Sequence, residues 1–118
     1  MADRELLELA AKAIGGSYWH DARTFSDYLV IEQDEPVKWN PADDDSDSRR
    51  LQVALLIDLR FGVSELYGQY AHARTEVRRG DFIDFHECYQ WVSLHPDANA
   101  AARRAVLEVA AAIGQSMS

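Results

Sequence analysis

Three features of the sequence predict an α+β domain with helices over one face of a mostly antiparallel sheet. Segments near both ends of the chain carry apolar residues at helical spacing. Between them, Ala71, Ala73, Thr75 and Val77 alternate with Tyr70, His72, Arg74, Glu76 and Arg78, the period of a strand with one buried and one solvated face. Arg79-Gly80-Asp81 then reads as a tight turn, so Phe82 to His86 should return antiparallel. The predicted order is α-ββ-α-βββ-α, with three helices and a sheet of about four or five strands. A chain of 118 residues, 47% of them apolar, fits one domain over 1–118.

The first helix is expected to begin at an Asp3 cap, with Leu6, Leu7, Ala10, Ala13 and Ile14 as its inner stripe. Gly15-Gly16 should end it. Tyr28-Leu29-Val30-Ile31 is a β-rich run ending before Pro36, with Tyr18-Trp19-His20 as its candidate partner. A second helix follows Pro41, capped by Asp44 or Asp45. Leu51, Ala54, Leu55 and Leu59 form its inner face, broadened by Val53, Leu56 and Ile57, which predicts a largely buried helix. Phe61 to Tyr67 is a further strand of the later meander. The last helix starts at Asp97 after Pro96, buries Ala102, Ala105, Val106, Val109 and Ile113, and is expected to stop at Gly114.

Net charge is −8, and residues 31–48 hold seven acids against Lys38 alone, six of those eight charges. This disfavours direct nucleic-acid binding, which relies on cations neutralising phosphates, and marks a local acidic surface. One cysteine, Cys88, permits no internal disulfide and suggests a reducing compartment. No apolar run approaches membrane-spanning length, and the N-terminal residues lack the pattern of a signal peptide.

Most chemical motifs fail on inspection. The run Asp43-Asp44-Asp45-Ser46-Asp47 invites a calcium loop, but Ser48 and Ala54 stand where glycine and glutamate are needed. His86-Glu87-Cys88 groups three ligand types, yet neighbours in a strand point to opposite faces, and no second histidine or Cys-x-x-Cys completes a zinc pattern. No metal, cofactor or catalytic residue is therefore assigned. Arg79-Gly80-Asp81 is turn chemistry. Trp39, Asp43, Asp44, Asp45 and Asp47 remain as candidate partner-binding residues, an acidic cluster beside one of the aromatics that favour interfaces.

Trp39-Asn40-Pro41, then Asp44-Asp45, then Arg50-Leu51 entering a helix resembles a segment of small bacteriophage and prophage proteins of unknown function, including the NinX-type proteins. The run from Asp97 and Asn99 through Ala101, Arg103, Arg104 and Ala105 to Ile113-Gly114 is similar to their C-terminal pattern. Together these cover about half of the chain, and Asp45-Ser46 stands where Asp-Gly would be expected. The resemblance implies a phage or prophage origin and a bacterial host cytoplasm, and it supplies no activity. The leading expectation is a non-enzymatic accessory protein that binds a host or phage protein, with mimicry of nucleic acid as its specific form. The alternatives are a small-ligand or metal-binding protein or enzyme with a site near His86, Glu87 and Cys88, and a homo-oligomer built through the exposed sheet face.

Overall fold

A computed structural model describes residues 2–32 and 34–117. The observed order is α1 (Asp3–Ala13), β1 (Gly16–Asp21), β2 (Ser26–Ile31), β3 (Val37–Lys38), α2 (Asp45–Ala54), β4 (Asp58–Ser64), β5 (Gly68–Arg79), β6 (Phe82–Trp91), a 3-10 turn (Val92–Leu94) and α3 (Ala98–Ser116). The α+β class and the α-ββ-α-βββ-α order are as predicted, with β3 as a short addition. The strands form two antiparallel sheets, β1-β2-β3 and β4-β5-β6, instead of one sheet of four or five. The reason is topological: α2 intervenes between the hairpins, and β3, just after Pro36, is too short to bridge them. Extents of 48, 42 and 22 Å are those of a slab two layers thick.

The helix layer is built around α3, which packs on α1, on α2 and on β5 and β6. Ala101, Ala102, Ala105, Val106, Val109, Ala110 and Ile113 are buried along it, as the apolar stripe required. Ala71 and Ala73 of β5 are fully buried beneath it, small against small, so helix and sheet approach closely. Gly114 does not end α3. It lies buried within the last turn, where an added Cβ would run into the Leu9 backbone of α1. The glycine serves a close helix crossing, so it reads from sequence as a stop signal but acts as a contact point.

The start of α1 differs from expectation, and that of α2 agrees with it. Asp3 is the first residue of α1, with Ala2 in the cap position and no side-chain cap bond. α2 is capped by Asp44, whose side chain accepts from the Asp47 amide at 2.9 Å. The expectation of a largely buried α2 is corrected: Ser48 and Leu51 are its buried residues, and Val53 is 61% exposed. The helix stops at Ala54, and Leu56 turns outward at φ +53°, leaving Ile57 to enter the core and Leu59 to join β4. Thr75 anchors this turn by donating from Oγ1 to the Leu55 and Leu56 carbonyls at 3.3 and 3.1 Å.

Candidate functional site

The acidic helix entry is built on the first sheet. Antiparallel register sets His20 opposite Asp27 and Tyr18 opposite Leu29, so Tyr18, His20 and Asp27 share a sheet face. Asp27 is the hub. Its carboxylate accepts a short bond from the Tyr18 hydroxyl, lies 2.9 Å from His20 Nδ1, and accepts from Asn40 Nδ2 at 2.7 Å. Its carbonyl accepts from the Trp39 amide at 2.9 Å. The strand thereby grips the two residues that begin the Trp-Asn-Pro segment.

Asn40 is a second hub. Its side-chain oxygen accepts from the Ala42 amide at 3.0 Å, closing a local turn, and its own amide donates to Asp47 Oδ2 at 2.9 Å. Its carbonyl accepts from the amides of Asp43 and Asp44. Pro41 is fully buried beside it and restricts Asn40 to extended backbone. From the far end of the chain, Arg103 donates to the Ala42 carbonyl at 3.0 Å and pairs with Asp45 at 2.6 Å. The Trp-Asn-Pro helix entry and the N-terminal half of α3 are thus in direct contact.

Protonation follows this geometry. Burial and the Asp27 bond push the Tyr18 phenol up to about 12. Burial alone would raise the Asp27 carboxyl, but bonds from Tyr18, His20 and Asn40 outweigh it and hold the group below its ordinary value. A phenol held neutral and a carboxylate held ionised are saturated with each other, a poor starting point for proton transfer. The arrangement works as a latch joining sheet to helix entry.

The candidate partner-binding residues separate clearly. Trp39 is buried at 6% exposure and belongs to the core. Asp47 is half-buried, holding the Asn40 amide and Arg50. Asp43, Asp44 and Asp45 are exposed and consecutive. Sequence reasoning missed Asp27, Tyr18, His20 and Arg103; only the strand register and a long-range approach bring them together. Glu87 points to the opposite sheet face from His86 and Cys88, which share the side toward the helix layer. Glu87 shares a face with His72, 2.9 Å from it, while Cys88 turns toward α3, its Sγ 3.1 Å from Glu108 Oε2. Burial, reinforced by Glu108, pushes the Cys88 thiol up to about 11, the opposite of an activated nucleophile. Among the described residues no cluster of His, Cys, Asp and Glu is arranged to hold a metal ion, and no helix is long and apolar enough to cross a membrane.

The outer face of the second sheet is the other distinctive surface. Tyr67, Trp91, Tyr70, Tyr89 and His72 form a continuous row of ring contacts, with centroids 4.0 to 5.9 Å apart. Arg74 lies over Phe85. These aromatics cover one another, which explains how a solvent-facing sheet surface tolerates so many.

No protein-family model matches the chain, and no curated protein matches it.

Proposed function

We propose that the chain is a non-enzymatic accessory protein of phage or prophage type that binds another protein through the acidic entry to α2. The supporting observation is the presentation of Asp43, Asp44 and Asp45: three adjacent exposed carboxylates on backbone fixed by the Asn40 turn and by Arg103. Charges on ordered backbone lose little freedom on docking, and a fixed acidic surface favours a basic partner. A groove that ordinarily takes nucleic acid is the specific form of that partner, with carboxylates standing in place of phosphates. Trp39 contributes by holding the segment in place, and Asp47 by fixing Asn40. The host cytoplasm is the compartment this reading requires.

The test is affinity capture from bacterial lysate with the wild-type chain and the triple variant D43N/D44N/D45N. Asparagine preserves the helix cap at position 44, so the fold should survive the change. The variant should lose the captured protein, and the wild-type complex should weaken steeply above physiological ionic strength. Undiminished capture by a folded triple variant, or binding indifferent to salt, sinks the proposal.

A further inference from the structure

The second sheet ends on β4, and among the described residues no strand lies beyond it. An edge strand of this length normally carries a device against pairing, such as a proline, a lysine or a covering element. β4 reads Asp-Leu-Arg-Phe-Gly-Val-Ser, with neither proline nor lysine. Its principal packing neighbour is β5. The row that should face the helix layer, Leu59, Phe61 and Val63, is only partly covered: Phe61 is 58% exposed and Val63 73%. An apolar cleft of about 360 Å³, lined by Phe61, Val63, Tyr70 and Val92 among others, continues this surface.

The strand is complementary to itself. Antiparallel pairing of two copies centred on Phe61 sets Leu59 opposite Val63, Arg60 opposite Gly62, and Asp58 opposite Ser64. No like charges face each other, and each exposed apolar side chain meets another apolar side chain. Gly62 adds a second fit. Its missing side chain is replaced by the Tyr70 ring, which lies so close that a Cβ would collide with it. An incoming Arg60 opposite Gly62 therefore reaches an aromatic face.

We infer that β4 pairs with β4 of a second copy of this chain, joining two three-stranded sheets into one six-stranded antiparallel sheet across a two-fold axis at Phe61. This interface is independent of the acidic entry, so either proposal can fail alone. The pairing satisfies the backbone groups of both edges and covers the Phe61 and Val63 rows together.

A charge-swap experiment on the full chain tests it. Sedimentation of the wild type should show a concentration-dependent dimer. F61E and F61K should each be folded by circular dichroism and each weaken the dimer by about 100-fold or more, because the substituted side chain faces its own copy. An equimolar mixture of F61E and F61K should recover the dimer. In addition, F61C should oxidise to a covalent dimer, since paired strands hold opposed residues within disulfide reach, whereas the wild type should not. A wild type that stays monomeric up to its solubility limit overturns the inference. So does a dimer unaffected by either charge, or a mixture that fails to recover it.

Discussion

The two sheets are built alike, as three antiparallel strands each, but they meet the helix layer through different chemistry. The second sheet offers Ala71 and Ala73, both fully buried, to an alanine-rich face of α3. The first offers Tyr18, His20 and Asp27, whose bonds reach the turn before α2. One contact is held by close packing of uncharged side chains. The other is held by an ionised, half-buried carboxylate and must depend on pH. The contrast shows how a small domain joins an irregular acidic segment to its body: where the backbone is regular, small side chains suffice, and where it is irregular, its amides need polar partners.

The packed contact should be the less forgiving. Ala73→Leu pushes several carbons into a site with no free surface, and Gly114→Ala sets a methyl against the Leu9 backbone. Each is expected to cost about 3 kcal/mol, since the Ala73 site is closed to solvent and the Leu9 backbone is not the flexible end of a side chain. In thermal unfolding that is a loss of roughly 12 °C for a domain of this size. A change of only a degree or two would show that α1, α3 and the second sheet are more loosely packed than the contact implies.

Removing the latch should come next. Asp27→Ala leaves Tyr18, His20 and Asn40 without their common acceptor, at an expected cost of about 2 kcal/mol. The sign of its pH dependence is fixed. The folded carboxyl sits below its ordinary value, so its contribution is complete above about pH 4, the unfolded range. It is lost as pH falls through the lowered folded value. Wild type and Asp27→Asn should therefore differ in denaturant midpoint at pH 7 and converge in strong acid. A gap that stays constant would mean the carboxylate's charge is irrelevant to the latch.

At the alkaline end, both regions respond. The Cys88 thiol beneath α3 is raised to about 11 and the Tyr18 phenol to about 12. Groups that resist ionisation in the fold keep it stable up to their unfolded values, near 9 and 10 for thiol and phenol. Stability is then lost as pH rises through the folded values. Cys88→Ser should remove the earlier part of that loss and Tyr18→Phe the later part, as read from urea midpoints between neutral pH and 12.

What was legible beforehand divides along the same line. The alternation from Tyr70 to Arg78, the Gly80 turn and the α3 stripe are local patterns, and each element lies where its pattern put it. The latch has no local signature: Asp27 meets His20 through hairpin register and Asn40 across thirteen residues. Gly114 resembled a helix stop because nothing in its own helix reveals that Leu9 presses on it. The apolar run from Leu51 to Leu59 looked like one helix face, but Leu56 reverses the chain and sends Leu59 into a strand. In the acidic segment, the charges were evident and the burial of Trp39 was not, since an aromatic beside acids carries no mark of which side faces in.

The smallest effect on stability should come from β4, and this tests the contrast most sharply. Phe61 and Val63 lie on the helix-facing side of the second sheet, as Ala73 does, yet most of their surface is exposed. If packing stabilises this region only where α3 reaches it, Phe61→Ser and Val63→Ser should change unfolding free energy by no more than about 0.5 kcal/mol in dilute solution, the range of ordinary surface positions. Measured at high protein concentration, the same substitutions should lower the apparent unfolding temperature relative to wild type, because any association through β4 adds stability by mass action. A large loss that does not depend on concentration would place Phe61 in the monomer core, and the second sheet would then be packed to its edge.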